Sequence, residues 1–459
     1  MIEGRYLYAE HISVPDAEKS ASIRRIINAS LFAVEPAQAI YQSLHRQQNL
    51  LVIGEKEYDL NLFNRILVVS VGKAAGLMAQ ATAQILGDRI HTGVTVLKYA
   101  LSSSECSLPS MFQVWYGNHP VPGDNSLIAG TAILKFLESC KSDDLVLFLI
   151  SGGGSALITS PVEGVSLADL KEITSLLLEC GAQIDEINTI RKHLDVIKGG
   201  GLAKAAHPAV IVTLVLSDVV GNPLDMIASG PTVADTTTFK ESMAILEKYH
   251  LIKSTPASIL DRIKKGCAQA VPETPKPDDV IFINSHTGII GSNYQAATAG
   301  MIAAQLEGYK GGILTTYLQG DAYGAGRFLG GILRQISETG QPYTRPVCLI
   351  AGGETTVKVS GKGLGGRNLE VALGAAQEMA GLEKVVFVTL ATDGEDGPTD
   401  SAGAIVTGET LHRARVKGIH LETFHQNNDS YHFFEPLGAL IKTGPTGTNV
   451  NDLNFLFAF

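Results

Sequence analysis

Continuous apolar runs of strand length, each followed by a helical stretch, recur along this sequence of 459 residues. Examples are RILVVSVG (65–72), DLVLFLIS (144–151) and AVIVTLVLS (209–217). Runs that do not alternate with polar residues are typical of strands covered on both faces, and so of parallel sheets flanked by helices. We therefore predict an α/β fold in which ligands bind beyond the carboxyl ends of the strands.

A segment rich in proline and acidic residues, AQAVPETPKPDD, separates two such α/β sets. We predict a tag remnant and N-terminal arm at 1–17, because MIEGR is typical of a protease-recognition scar. A Rossmann-like domain with a mostly parallel sheet is predicted at 18–267. A linker at 268–280 and a smaller C-terminal α/β domain at 281–459 follow. The active site is expected in the cleft between the two domains.

Charge and cysteine content exclude several classes of function. The net charge of −10, without a basic block, argues against a nucleic-acid partner. The apolar runs are far shorter than a membrane span. The five cysteines are scattered and form no C-x-x-C pair, which favours reduced thiols in the cytoplasm. We therefore expect a cytoplasmic protein with small-molecule partners, and a homodimer is compatible with the sequence.

The segment GKGLGGRN has the spacing G-x-G-x-x-G at Gly361, Gly363 and Gly366, between a predicted strand and a predicted helix. This spacing lets backbone N–H groups approach a phosphate at a helix N-terminus. A dinucleotide fold also needs an acidic residue about 20 residues on, whereas Asp393 lies roughly 30 residues on. Arg367, at the helix start, is favourable where an anion lies between it and the helix. The pyrophosphate of a nicotinamide cofactor, a phosphate of ATP and an ordinary turn all stay open.

Two other strand ends carry a lysine and a glycine triplet. Lys73, in SVGKAAG, lies at a strand-to-helix turn, where its charge suits a carboxylate or a phosphate; no Walker A sequence occurs in the chain. The segment ISGGGSALI offers successive N–H groups for an anion nest and does not match the nucleophile elbow of serine hydrolases. A solvated lysine and tight packing of the glycines are the alternatives.

Acidic residues follow strands in two segments. Asp218 and Asp225 lie in LSDVVGNPLDMIASGPT, and Asp393 and Asp396 lie in TDGEDGPTD. Carboxylates on loops broken by glycine suit Mg²⁺, which takes one or two protein oxygens besides phosphate and water. They also suit the orientation of an attacking hydroxyl. Solvated turn residues and helix caps are the alternative.

The chain resembles the glycerate 2-kinase family, whose C-terminal half is called the MOFRL domain, from about residue 18 to residue 455. The resemblance rests on six segments in order: SGGGSAL, IRKHLDVIKGG, SDVVGNPLDMIASGPT, GGETTVKVSGKGLGGRN, TDGEDGPTDSAGA and NDSYHFF with TGPTGTNVNDL. It implies a Rossmann-like domain with a smaller α/β domain, and phosphorylation of D-glycerate to 2-phosphoglycerate with ATP and Mg²⁺. It also implicates a cleft lysine and a glycine-loop arginine, which match Lys73 and Arg367.

We therefore predict in-line phosphoryl transfer from ATP to a hydroxyl of glycerate. Lys73 is expected to anchor the substrate carboxylate or the transferring phosphoryl group, and Arg367 to neutralise developing charge. Asp218 is expected to orient or deprotonate the hydroxyl. Asp393 and Asp396 are the predicted Mg²⁺ ligands. The predicted substrate- and nucleotide-binding residues are Ser151, Gly152, Gly153, Gly154, Ser155, Gly361, Gly363, Gly366 and Asn368.

The chain departs from the family pattern at two positions. Gly201 stands where an arginine is expected, and Leu369 where a glutamine is usual. The missing guanidinium leaves the choice of substrate open. Two rival functions stay open as well: an NAD(P)-dependent hydroxypyruvate reductase built on G-x-G-x-x-G, and a ligand-binding protein without enzymatic activity. The histidines lack metal-ligand spacing, and we expect a structural role for His119.

Overall fold

The computed structural model describes Ile12, residues 16–99 and residues 106–459. The chain forms two compact units. The Rossmann-like unit comprises the described residues of Pro36–Ile290, and the mixed-sheet unit comprises the described residues before Pro36 together with Gly291–Phe459. Most of the predicted tag remnant and arm lies outside the described residues. In the part of the chain that is described, no helix is long and apolar enough to cross a bilayer.

The division into units differs from the predicted domains because the first helix, α1 (Ala17–Ala33), belongs to the mixed-sheet unit. Arg25 pairs with Glu307 at 2.6 Å, and Ser22 donates a hydrogen bond to the Tyr309 hydroxyl. Ile23, Ile26, Ile27 and Leu31 of α1 are fully buried. These contacts join segments nearly 300 residues apart. The predicted linker, in turn, lies within the Rossmann-like unit.

The Rossmann-like unit alternates strands and helices. Its described helices are α2 (Pro36–Ser43), α3 (Ala75–Leu86), α4 (Asp124–Leu137), α5 (Gly154–Leu157), α6 (Leu167–Glu179), α7 (Ile184–Leu194), α8 (Gly201–Ala206), α9 (Phe239–Lys248) and α10 (Ala257–Cys267). Its described strands are β1 (Leu44–Gln47), β2 (Leu50–Ile53), β3 (Lys56–Asp59), β4 (Arg65–Val71), β5 (Ile90–Leu97), β6 (Phe112–Tyr116), β7 (Asp144–Ser151), β8 (Val210–Leu216) and β9 (Ser285–Gly291).

The main sheet of this unit has the strand order β6-β5-β4-β7-β8-β9, and the pairs from β6 through β8 are parallel. All residues of β7 are buried, as expected for a strand covered on both faces. The chain proceeds outwards from β4 in one direction and from β7 in the other. The carboxyl ends of β4 and β7 therefore flank a topological switch point, where open α/β sheets bind ligands. The predicted mostly parallel sheet is confirmed.

The mixed-sheet unit is a second α/β layer built on a mainly antiparallel sheet. Besides α1, its described helices are α11 (Asn293–Leu306), α12 (Ala322–Thr339), α13 (Arg367–Met379), α14 (Thr410–Val416), α15 (Leu421–Gln426) and α16 (Ser430–Phe434). Its described strands are β10 (Lys310–Leu318), β11 (Val347–Gly353), β12 (Val385–Ala391), β13 (Gly403–Thr407), β14 (Leu440–Ile441) and β15 (Asp452–Ala458).

The position of β15 brings three strand ends to one edge of this sheet. The strand order is β10-β11-β15-β12-β13-β14, and β15 is antiparallel to both neighbours. Its first residue, Asp452, therefore lies opposite Gly353 at the end of β11 and Ala391 at the end of β12. Side chains that follow β11 and β12 are thereby gathered around Asp452.

Close packing of α12 against α13 yields a test with a matched control on one helix. A Cβ atom on Gly326 would lie 1.9 Å from the Val371 carbonyl oxygen, whereas one on Gly331 would meet no atom within 4 Å. We expect Gly326→Ala to lower the free energy of unfolding by about 1–3 kcal/mol, because the helices must separate. Gly331→Ala should leave it unchanged or raise it by about 0.5–1 kcal/mol, because alanine favours the helix. Urea denaturation measures both; equal stability of the two variants would contradict the packing described.

Candidate active site

The turn that follows β4 and the turn that follows β7 are bound to each other at the switch point. The Lys73 N–H donates to the Gly152 carbonyl oxygen at 2.9 Å, and the Ala74 N–H donates to Ser151 Oγ at 3.0 Å. Ser151 is buried and Lys73 is exposed. The structure thus brings Lys73 and the glycine triplet together, as predicted. Ser151 itself fastens the two turns, so we no longer assign its hydroxyl to a ligand.

The glycine triplet leaves room for side chains from two other segments. A Cβ atom on Gly152 would lie 1.9 Å from Asp218 Oδ2. Gly153 has a φ of +83°, and a Cβ atom there would lie 3.2 Å from the His119 ring and 3.3 Å from Lys73 Cγ. Asp218 and Lys73, predicted to act on the same substrate, therefore both lie against this backbone. The close approach requires glycine at both positions.

A hydrogen-bonded chain of small polar residues extends from the triplet. Ser155 and Ser229 share a hydrogen bond of 2.8 Å between their hydroxyl oxygens, and Ser229 Oγ donates to Asn188 Oδ1 at 3.0 Å. Ala228 and Ser229 both adopt left-handed φ values, +51° and +61°. Two successive non-glycine residues in this region indicate backbone strain held by the surrounding structure, which is common at functional sites. Sequence patterns gave no signal for this strain.

His119 is kept neutral beside the glycine triplet. Burial lowers its pKa to about 4, and the charges of Lys73 and Lys98 lower it further in the same direction. An imidazole in this state accepts or donates a hydrogen bond near neutral pH without adding positive charge. Lys73 therefore supplies positive charge here without a competing imidazolium.

A second group of charged residues surrounds Arg367 at the edge of the mixed sheet. Its guanidinium donates to both carboxylate oxygens of Asp452, from Nε at 2.6 Å and from Nη2 at 3.1 Å. Nη1 also lies 2.9 Å from Glu354 Oε1. Burial acts to lower the pKa of Arg367, but Asp452 and Glu354 outweigh it and raise the pKa above its ordinary value. The sequence predicted an anion at Arg367, and the structure supplies carboxylates that sequence reasoning missed.

The glycine loop before α13 is occupied by the protein itself, which corrects the prediction of a phosphate there. The Gly361 N–H donates to Asn428 Oδ1 at 2.8 Å, and the Gly363 N–H donates to the Asn427 carbonyl oxygen at 2.8 Å. A Cβ atom on Gly366 would lie 2.3 Å from Asp396 Cγ. These glycines permit contact with residues that lie 30 or more positions further along the chain. The spacing G-x-G-x-x-G therefore reflects packing at this place.

Asp396 and Asn368 have structural partners in place of the predicted metal and nucleotide. Asp396 accepts hydrogen bonds from the N–H groups of Asn368 at 2.9 Å and Leu369 at 2.8 Å, which caps the start of α13. The Asn368 side chain donates to Asp396 and accepts from Thr389 Oγ1 at 2.7 Å. Burial raises the pKa of Asp396 to about 7, although the backbone donors oppose this. Both side chains are buried, so we withdraw their assignment to ligands.

Carboxylates near Arg367 offer oxygen atoms of the kind that Mg²⁺ binds. The described residues contain no group of three or more histidine, cysteine, aspartate or glutamate side chains arranged to hold a metal. Mg²⁺ bound with phosphates needs only one or two carboxylates. Asp393 is half-buried, and it contributes to the raised pKa of Asp452, for which burial is the main cause. The donor chemistry of Asp393 therefore fits a Mg²⁺ shared with a polyphosphate.

The two departures from the family pattern have local explanations. A Cβ atom on Gly201 would lie 1.9 Å from the Val196 carbonyl oxygen, so the backbone here leaves no room for a side chain. Leu369 is fully buried in α13. Both residues serve packing in this chain.

The chain is similar to known proteins over nearly its whole length. Residues 22–264 match the domain of unknown function DUF4147, and residues 347–452 match the MOFRL family. The chain is 40% identical to the D-glycerate 2-kinase of Thermotoga maritima, covering 96% of this chain and 98% of that protein. It is 42% identical to the glycerate 2-kinase of Pyrococcus horikoshii, covering 94% and 95%. The solved structure of a glycerate kinase from Thermotoga maritima matches with a TM-score of 0.85 and 39% identity, covering 96% of this chain and 99% of that one.

The lowered pKa of His119 predicts an acid-dependent loss of stability. As pH falls through 6.5, the unfolded chain takes up a proton that folded His119 does not accept until about pH 4. The free energy of unfolding should therefore decrease across this window, and His119→Gln should make the decrease smaller. Urea denaturation between pH 7 and pH 4 measures it, with His412→Gln, an exposed histidine on α14, as the control. If the free energy of unfolding depends on pH in the same way in wild type and in His119→Gln, the burial of a neutral ring is contradicted.

Proposed function

Because the chain belongs to the glycerate 2-kinase family, we propose that it transfers the γ-phosphoryl group of ATP to D-glycerate, giving 2-phosphoglycerate and ADP. The observation that carries the proposal is the group formed by Lys73, the glycine triplet and Asp218, here called the switch-point cluster, in a chain of this family. There, an exposed lysine and a glycine backbone meet Asp218 at the carboxyl ends of adjacent parallel strands. Phosphoryl transfer depends mainly on positioning and charge neutralisation, which such a cluster supplies.

Lys73 is proposed to bind the phosphoryl group being transferred. Its backbone is fixed to Gly152, so its side chain starts from a defined position while its ammonium remains accessible. The N–H groups at the end of β7 and the start of α5 lie beside it. An ammonium with convergent amides is suited to phosphate oxygens.

Asp218 is proposed to orient the attacking hydroxyl or accept its proton. It follows β8 directly and lies against Gly152, on the same sheet edge as Lys73. A carboxylate at hydrogen-bonding distance from a hydroxyl increases the fraction of bound substrate that is aligned for attack. His119 lies against the same glycine triplet and is neutral near pH 7, because burial lowers its pKa. It therefore adds no positive charge beside the substrate hydroxyl.

Arg367 is proposed to stabilise negative charge on the polyphosphate, and Asp393 to hold Mg²⁺. The bidentate pair with Asp452 sets the orientation of the guanidinium, and its raised pKa keeps it charged. When bound, Mg²⁺ neutralises phosphate charge and screens it from the attacking oxygen. The predicted nucleotide contacts of Gly361, Gly363 and Asn368 are left out, because these residues bind other parts of the protein.

Assembly and location complete the proposal. We infer a homodimer, because β10 is an edge strand of its sheet and carries the exposed apolar side chains of Leu314 and Tyr317. Sedimentation measures the oligomeric state. A cytoplasmic location is supported by the five cysteines, none of which forms a disulfide.

The lysine assignment is tested by Lys73→Met. We expect kcat for ADP release with D-glycerate to fall about a hundredfold or more, by analogy with the loss of one charge-stabilising group elsewhere. Lys135→Met, an exposed lysine on α4, is the control and should keep full activity. An assay of nicotinamide absorbance with hydroxypyruvate runs in parallel. Cofactor oxidation without ADP release identifies a reductase, and binding of hydroxy acids without either signal identifies a binding protein.

The role of Arg367 is tested with a variant that does not leave a buried, unpaired carboxylate at Asp452. Arg367→Met alone leaves Asp452, whose side chain is 6% exposed, without a counter-ion. We therefore expect the double variant Arg367→Met/Asp452→Asn to stay folded while kcat falls at least a hundredfold. Asp452→Asn alone controls for the partner, and Arg327→Met, a surface-paired arginine on α12, controls for charge. Turnover of the double variant close to that of Asp452→Asn would remove Arg367 from the mechanism.

A further inference from the structure

Arg191, on α7, is a largely buried cation without a partner among the described residues. Its guanidinium makes no hydrogen bond and no ion pair there, whereas Arg65 and Arg367 each bind a carboxylate through two hydrogen bonds. Burial alone lowers its pKa, and no neighbouring carboxylate opposes the effect. A guanidinium offers five N–H donors, and removing them from water without acceptors is costly. Such a group indicates an acceptor that comes from outside the chain.

The side chain lines a cavity of about 200 Å³ within the Rossmann-like unit. Apolar side chains of α6 and α7 and the segment Pro120–Pro122 form most of the wall. Glycerate has seven non-hydrogen atoms, so it is small enough for a cavity of this volume.

Several of the other polar residues around the cavity are bound to protein atoms. Lys198 Nζ and Thr159 Oγ1 both donate to Asp195 Oδ2, at 2.8 and 2.6 Å. The charge of Asp195 is thus already neutralised. Lys171 also lines the cavity but is exposed to solvent. Arg191 is therefore the partly buried cation that remains for a ligand among the described residues that line this cavity.

Ser155 connects this cavity to the switch-point cluster. Its residue lines the cavity and directly follows the glycine triplet beside Lys73 and Asp218. Arg191 and Ser155 line the same cavity, so a small acid bound at Arg191 can extend toward the triplet. If Arg191 binds the carboxylate, Lys73 does not need to bind it and is available for the phosphoryl group.

We propose that Arg191 binds the carboxylate of the substrate, and that this cavity is the subsite that selects a 2-hydroxy acid over a neutral polyol. The inference rests on the proposed function and extends it. Two parallel N–H···O bonds from a guanidinium match the geometry of a carboxylate, which a lysine at the same place does not reproduce. The apolar wall strengthens this pairing by excluding water.

The test uses the full chain, two ligands of equal size and two replacements of one side chain. D-glycerate and D-glyceramide differ in the charge of one end, and calorimetry without ATP measures the affinity for each. We expect wild type to bind D-glycerate about 10- to 100-fold more tightly than D-glyceramide, and Arg191→Met to abolish this difference. Arg191→Lys should restore part of it. In ADP-release assays Arg191→Met should raise KM for D-glycerate by a similar factor with little change in kcat.

Arg262→Met is the matched control. Arg262 is another partly buried arginine of this unit whose pKa burial lowers, and it packs over the Phe239 ring away from the cavity. Its replacement should leave the preference for the acid unchanged. An unchanged preference in Arg191→Met, or an equal loss of affinity for both ligands, would overturn the proposal. If Arg191→Met does not fold, Arg191→Lys decides by the same comparison. Absence of ADP release by wild type would refute the kinase, while calorimetry would still decide the subsite.

Discussion

Strands β4 and β7 pair in parallel from Arg65 opposite Asp144 to Val71 opposite Ile150. Arg65 also binds the buried Asp144 carboxylate through two hydrogen bonds, which fixes the register at the amino ends of the strands. Because the register is fixed there, the two turns at the carboxyl ends must meet. The meeting of Lys73 with the glycine triplet depends on this pairing, and the parallel pairing of β7 with β8 brings Asp218 to the same place.

Glycine clusters serve opposite purposes in the two units. In the Rossmann-like unit, the triplet at 152–154 opens space beside chemically active side chains, with Asp218 and His119 at its borders. In the mixed-sheet unit, the glycines before α13 open space for the backbone of the segment 427–429, which takes up their N–H groups. Both clusters lie between a strand and a helix. They differ in the part of the chain that packs against the glycines: side chains border the first cluster, and the segment 427–429 borders the second.

Sequence reasoning was strongest where the signal was local. The continuous apolar runs predicted the parallel sheet, and the turn residues predicted that Lys73 and the triplet lie at strand ends. It failed where the partner was remote. Asp396 looked like a metal ligand and caps α13 across 28 positions, and Arg367 looked like an anion site and holds Asp452 across 85 positions. Arg191 lies in the segment IRKHLDVIKGG, but sequence reasoning gave it no role, because an arginine on an amphipathic helix is ordinarily solvated and only the fold reveals its partial burial.

The central place of β15 bears on how the polypeptide acquires its structure at the ribosome. The pair β10–β11 and the strands β12, β13 and β14 are joined to each other through this strand alone within the described sheet. Since β15 follows every other described strand in the chain, the two parts of the sheet stay unjoined until β15 has been synthesised. Helix α1 finds its partners Glu307 and Tyr309 earlier than this, because both residues precede β15 in the chain. The sheet of the mixed-sheet unit is therefore joined only after every described strand of the Rossmann-like unit has been synthesised.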